Sequence, residues 1–263
     1  MDLRLTNKTA LVTGSTAGIG LAISKRLVEE GAKVILVGRS QAKLDAAARE
    51  LATIGKGQVL AVLADVSTAD GAEELWKEVR EVDILVNNLG IYESKPFEEI
   101  TDDDWRRFFE INVLSGVRLS RFYFPGMLKR NSGRIIFVAS ESGVLVPPDM
   151  IHYGMTKTAQ LSISRGLAAL TKGSNVTVNT VMPGSTRSEG IEDFLRSVST
   201  DPTAPMEEIE AQFFAKNRPT SLIQRMIEAD EIATLVTYLA SPLSSSTNGA
   251  ALRVDGGIVP TIV

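Results

Sequence analysis

The amino-acid sequence predicts an α/β protein: one doubly wound parallel sheet of about seven strands with helices on both faces. Three observations carry this. Short β-branched or apolar runs alternate with segments of helical period along all 263 residues, with no repeat, low-complexity linker or internal boundary. The first run leads straight into a glycine-rich turn and then an amphipathic helix. Several later runs end in small polar residues, at the strand edge where open α/β sheets place their ligands. Composition agrees, since 44% hydrophobic and 23% charged residues are an ordinary globular mixture. A net charge of −4 argues against nucleic acid as a partner. With no cysteine and a single histidine, His152, disulfides and a zinc site are excluded and no metal is expected. No apolar run approaches the ~20 residues of a membrane span and the N-terminus carries no signal-like segment, so a cytoplasmic protein without membrane contact is expected.

Taken in order, Thr9–Thr13 is the first strand. Gly14-Ser15-Thr16-Ala17-Gly18-Ile19-Gly20 follows, and Ile19, Ile23, Leu27 and Val28 then recur at helical spacing until Gly31. Strand, glycine turn and helix form a phosphate cradle, because glycines let the backbone approach a pyrophosphate and the helix N-terminus offers free N–H groups. The plainer alternative is a tight turn and nothing more. The second strand, Lys33–Val37, ends at Gly38-Arg39-Ser40. A basic residue there accommodates a 2′-phosphate, whereas an acidic one binds a free ribose, so Arg39 favours NADP over NAD; an exposed arginine opening the next helix is the competing reading. Gln58–Leu63 is the third strand, followed by Asp65-Val66, where Asp65 either accepts from an adenine amino group or caps the helix starting near Ala69. The fourth, Asp83–Val86, runs into Asn87-Asn88-Leu89-Gly90.

A long helix is predicted from Thr101 to about Arg130, with acidic residues in its first turn and Trp105, Phe108, Phe109 and Val113 on its apolar face. Asn112 lies in its middle, where asparagine has poor propensity and so has either a bond in the site or an exposed position. Gly133 opens a strand that ends at Ser140. Tyr153 and Lys157 follow, four apart and therefore on one face of a helix running to about Lys172. An ammonium beside a phenol lowers a pKa that is ordinarily about 10, which makes the tyrosine a usable acid or base. Asn175–Val181 is the sixth strand, closed by Met182-Pro183-Gly184. The stretch from about 185 to 225 carries Ile191, Phe194, Leu195 and Val198, then Met206, Ile209 and Phe213, at helical spacing. Two short amphipathic helices on a long excursion from a strand end suggest a lid over the site, or else a packed surface insertion. A last helix, about Asp230 to Ala240, precedes a seventh strand, Ala250–Val254, and Asp255-Gly256-Gly257.

With Gly14-x-x-x-Gly18-x-Gly20, Asn87-Asn88-x-Gly90, Asn112, Ser140, Tyr153-x-x-x-Lys157 and Pro183-Gly184 in this order, the chain resembles the short-chain dehydrogenase/reductase family over nearly its whole length. The resemblance implies a single Rossmann-like domain and an NADP-dependent oxidoreductase that interconverts a ketone and a secondary alcohol by hydride transfer. Tyr153 is then the acid or base, Lys157 lowers its pKa and bonds the nicotinamide ribose, Ser140 orients the substrate oxygen, and Asn112 holds a water that extends a proton relay. Gly14, Ser15, Gly18, Ile19 and Gly20 meet the cofactor phosphates, Arg39 the 2′-phosphate, Asp65 and Val66 the adenine, Asn88 the adenosine-side ribose, and Pro183-Gly184 the carboxamide, with Gly90 also among the cofactor-binding residues. NAD is the less favoured cofactor. Leu89 stands where the family usually has alanine.

Within the family the pattern is similar to 3-oxoacyl-(acyl-carrier-protein) reductases, implying an acyl-thioester among the small-molecule substrates to be tested and an acyl carrier protein as partner, docked near Lys129, Arg130 and Lys172. A plain solvated surface accounts for those three equally well, and the 185–225 excursion is longer than that activity leads one to expect. A homotetramer, with the helices of about 101–130 and 153–172 pairing between subunits, is also implied. A catalytically silent NADP-binding sensor or scaffold is the alternative; it is opposed by the presence of both Tyr153 and Lys157. A serine hydrolase is rejected, because Ser140 sits in no Gly-x-Ser-x-Gly elbow.

Overall fold

The computed structural model describes residues 1–188 and 191–262, with Val198 described in its backbone alone. The strands β1 (Thr9–Thr13), β2 (Lys33–Gly38), β3 (Gln58–Leu63), β4 (Ile84–Asn87), β5 (Gly133–Val138), β6 (Val176–Pro183) and β7 (Ala251–Val254) form one sheet in the order β3-β2-β1-β4-β5-β6-β7. Every pairing is parallel, for example Leu11 opposite Ile35 and Leu85 opposite Ile135. The order reverses between β1 and β4, so a crevice opens beyond their carboxyl ends.

Both faces of the sheet are covered, which is why its strands read as continuous apolar runs. Successive side chains point to opposite faces. Val12, Val34, Leu36, Val86 and Ile136 pack on one side against α1 (Gly18–Glu29), α2 (Gln41–Ala52) and α9 (Ala229–Ala240). Leu11, Ile35, Leu85, Ile135 and Phe137 pack on the other against α3 (Ala69–Glu78), α5 (Ser115–Lys129) and α6 (Ile151–Ala169). The α/β doubly wound sheet is therefore the one the sequence predicts.

Two elements differ from expectation. The predicted long helix is α4 (Asp102–Phe109) and α5 joined by a π-helical segment, Glu110–Leu114. An added residue per turn at that point swings Asn112 into the interior rather than onto the surface, where it is fully buried. Ser140 lies two residues beyond the last residue of β5 and caps a 3₁₀ turn, Glu141–Gly143, instead of ending the strand.

The excursion after β6 contains the two expected helices, α7 (Ile191–Val198) and α8 (Met206–Asn217). Leu195, Ile209, Phe213, Phe214 and Met226 form their own buried cluster, separate from the main core. At its base, the Arg187 N–H donates to Ile227 O at 2.8 Å and the Ile227 N–H to Ser185 O at 2.9 Å, so the two ends of the excursion are tied together. Glu189 and Gly190, within the expected 185–225 lid, lie outside the described residues.

Candidate active site

The glycine turn sits at the sheet's reversal point. Gly14 and Gly18 hold positive φ, +62° and +52°, and a Cβ on Gly20 would lie 2.2 Å from the Gly14 carbonyl, which no side chain can tolerate. Asn88 braces this turn from β4: its Nδ2 donates to Thr13 O at 3.0 Å and Gly14 O at 3.3 Å, and its backbone N–H donates to Thr13 Oγ1 at 2.9 Å. The N-cap of α1, Ala17, makes no side-chain cap bond, and no acidic residue occupies the first turn. The amide groups of a twelve-residue helix are thus left facing the crevice, which suits an anionic pyrophosphate. Ser15 is buried and its hydroxyl accepts from Val37 N–H at 2.9 Å, so its side chain braces β2 and only its backbone faces the turn. Arg39 is exposed at the end of β2 and has no ion-pair partner among the described residues, so its guanidinium can meet a 2′-phosphate. Asp65 does not cap α3; Thr68 does, accepting from Gly71 N–H at 3.1 Å, while Asp65 accepts from the Ser67 N–H and hydroxyl. These residues fit a dinucleotide.

Facing the same crevice across β4 and β5 are Ser140, Tyr153 and Lys157. Lys157 is almost fully buried and its ammonium donates to the Val138 carbonyl at 3.1 Å. It lies 5.5 Å from the centroid of the Tyr153 ring. Gly90 closes the floor: a Cβ there would come within 3.4 Å of both Lys157 Nζ and Asn112 Oδ1. Burial lowers the Lys157 pKa to about 8, with the Glu141 carboxylate acting in the opposite sense. The Tyr153 phenol, in contrast, is pushed well above its ordinary value by burial and by Glu141, with Ser140 alone pulling it down. The sequence expectation that Lys157 depresses the phenol is not met by the chain alone, because burial and the Glu141 carboxylate raise it while the ammonium is bonded to the Val138 carbonyl.

Sequence reasoning misses that carboxylate. Glu141 is 6% exposed, and the Ser140 hydroxyl donates to its Oε2 while the Ser142 N–H donates to Ser140 Oγ at 3.1 Å. An acidic residue directly after a strand-end serine, with Gly143 close behind, is the available signal. Gln160 is missed too, although Tyr153, Thr156, Lys157 and Gln160 form one stripe of helical period. Its Nε2 donates to the Asn112 backbone carbonyl at 2.6 Å. The Asn112 side chain accepts from Ile91 N–H at 2.8 Å and donates to Ile91 O at 2.9 Å and Thr156 Oγ1 at 3.0 Å. It thereby clamps the loop after β4 to α6.

Beyond β6, the Gly184 N–H donates to Val254 O at 3.0 Å, which fixes Pro183-Gly184 against β7 at the crevice. Val66 is buried behind the end of β3. The expected carrier-docking residues Lys129, Arg130 and Lys172 are all exposed; Arg130 also donates to Val82 O at 3.0 Å and pairs with Glu81 at 3.5 Å. Among the described residues there is no cluster of potential metal ligands, and no helix is long and apolar enough to cross a membrane.

Residues 8–197 match the family model for short chain dehydrogenases. The oxidoreductase YvaG of Bacillus subtilis is 54% identical over 263 residues, with both chains covered in full. The 3-oxoacyl-[acyl-carrier-protein] reductase FabG of Salmonella typhimurium is 36% identical over 251 residues, 95% of this chain and 97% of its own. Among solved structures, the L-sorbose reductase of Gluconobacter frateurii, complexed with NADPH and L-sorbose, superposes with a TM-score of 0.93 at 32% identity, covering 100% of both chains.

Proposed function

The chain belongs to the short-chain dehydrogenase family, and we propose that it is an NADP-dependent oxidoreductase interconverting a ketone and a secondary alcohol. The observation that carries the reading is the convergence of Ser140, Tyr153 and Lys157 on the crevice into which the open N-terminus of α1 also faces, with Arg39, exposed and without an ion pair among the described residues, at the end of β2. The glycine turn and the helix amides hold the pyrophosphate, and Arg39 selects the 2′-phosphate. The nicotinamide, when bound, supplies or takes up the hydride.

Tyr153 gives its hydroxyl proton to the carbonyl oxygen in reduction and takes it back in oxidation. Its high pKa keeps that proton in place until the substrate oxygen has become basic. Lys157, four residues on, offers a cation to the phenolate that forms. Ser140 orients the substrate oxygen. Asn112 fixes the distance between the loop after β4 and α6, so its role is to hold Lys157 and Gly90 in place and present its carbonyl to a water. The excursion of residues 185–225, with its own apolar cluster and a tied base, acts as a lid over the substrate.

For the substrate we favour a small polyhydroxylated ketone. The likeness to L-sorbose reductase extends over the whole chain, excursion included. A 3-oxoacyl thioester is the second reading, supported by the 36% identity to FabG. Following NADPH consumption with L-sorbose and related ketoses beside a 3-oxoacyl-coenzyme A tests both. Turnover of ketoses alone supports the first, turnover of the thioester alone the second, and turnover with NADH but not NADPH overturns the cofactor assignment.

A further inference from the structure

Glu141 is a buried carboxylate that the expected chemistry does not use. It is 6% exposed and makes no ion pair among the described residues. Its side-chain partner is the Ser140 hydroxyl, which donates to Oε2, so that proton is already engaged. A carboxylate removed from water without a cation against it is costly, and it is tolerated only by taking up a proton or by serving a purpose. The charged and titratable groups around it are Tyr153 and Lys157 on α6 and Arg218 just after α8, with Tyr92 facing the phenol. Burial, the largest effect, favours the protonated form, while the Ser140 hydroxyl, Arg218 and the backbone N–H groups of Ser142 and Glu141 favour the ionised one.

We propose that Glu141 is a positioning residue that sets, by its own protonation, whether the Ser140 hydroxyl donates or accepts at the substrate oxygen, giving reduction and oxidation opposite pH preferences. The proposal rests on the dehydrogenase reading above. When Glu141 is ionised, Ser140 directs its proton to Oε2 and offers a lone pair to the crevice. An alcohol substrate, which has a proton to give, is matched by that acceptor. When Glu141 is protonated, the carboxyl O–H donates to Ser140 Oγ, and the serine O–H is released to turn toward the crevice. A ketone, which can only accept, is matched by that donor. The two states differ by one solvent proton on Glu141; the hydride still travels to or from the cofactor and the substrate proton to or from Tyr153, so the overall reaction is unchanged. The Ser142 N–H to Ser140 Oγ bond is kept in both states and holds the oxygen in place while its proton swings.

The test measures kcat/KM in both directions from about pH 5 to about 10 for the wild type and Glu141→Gln, with whichever ketone or thioester the wild type turns over. The amide of the variant cannot titrate, so one ionisation vanishes from both profiles, and the ratio of oxidation to reduction at alkaline pH falls by about tenfold or more. Profiles of wild-type shape, both scaled by one factor, overturn the proposal and leave Glu141 a packing residue. A readout free of substrate accompanies it: the infrared carbonyl band of a protonated carboxyl in the full-length protein. The band must disappear in Glu141→Gln and shift in Ser140→Ala, and its absence across the pH range overturns the proposal even if Glu141→Gln does not fold. A fully active Tyr153→Phe defeats the functional reading instead, and the infrared result is unaffected by it.

Discussion

Replacing Asn112 by alanine removes three hydrogen bonds at once from a fully buried position: one accepted from Ile91 N–H, one donated to Ile91 O and one donated to Thr156 Oγ1. At a net value of about 0.5–1.5 kcal/mol each, the loss comes to about 1.5–4.5 kcal/mol. Thr156 is itself fully buried, so nothing replaces its partner, whereas Ile91 is partly exposed and water recovers some of its share; this places the expectation toward the middle of the range. With a urea m-value of about 3 kcal/mol/M, the unfolding midpoint falls by roughly 1 M. Asn112→Asp is the control. With ionisation suppressed by mild acid it keeps the acceptor for the Ile91 N–H and has one O–H donor in place of two N–H donors, so its midpoint falls between the wild type and the alanine variant. Equilibrium urea unfolding followed by tryptophan fluorescence measures both. A loss below about 0.5 kcal/mol for Asn112→Ala refutes the clamp, and would mean that the π-helical segment is held by packing alone.

Two further expectations concern charge. His152 is fully buried against Phe108, neither ring nitrogen has a hydrogen-bond partner among the described residues, and burial lowers its pKa. As pH falls below about 6.5 the unfolded chain takes up a proton first, so the wild type loses up to about 1.4 kcal/mol of stability between about pH 7.5 and 5.5 that His152→Leu keeps; urea unfolding at the two pH values checks this, and parallel losses contradict it. Arg39→Asp moves the ratio of NADPH to NADH dissociation constants toward NADH by about tenfold or more, measured by nucleotide fluorescence titration, and an unchanged ratio removes Arg39 from cofactor selection.

Much of this is legible in the chain itself because the signals are local. A strand of five residues, a turn that only glycine can make and a helix without a cap are written within Thr9–Glu29, and Tyr153 and Lys157 announce a shared face by their spacing. What is not legible depends on contacts far apart in sequence. The π-helical segment at Asn112 depends on Ile91, Thr156 and Gln160, which lie 21, 44 and 48 residues away. The direction of the Tyr153 pKa needs the position of the Glu141 carboxylate and the fact that Lys157 is anchored to Val138; the four-residue spacing gives neither. Asp65 reads as a helix cap because an acid four residues before Ala69 is within plausible range, yet Thr68 stands one residue before it and takes the role.

The central claim is that the phenol of Tyr153 carries the proton in a reaction at a carbonyl or alcohol carbon. Its most direct test is Tyr153→Phe assayed for NADPH-dependent reduction, with NADPH affinity measured on the same preparation. The account predicts that turnover falls by about 10²-fold or more while the nucleotide still binds with nearly wild-type affinity, since the glycine turn and Arg39 are untouched. Turnover close to wild type with binding intact contradicts the assignment and would return the crevice to a nucleotide-holding role.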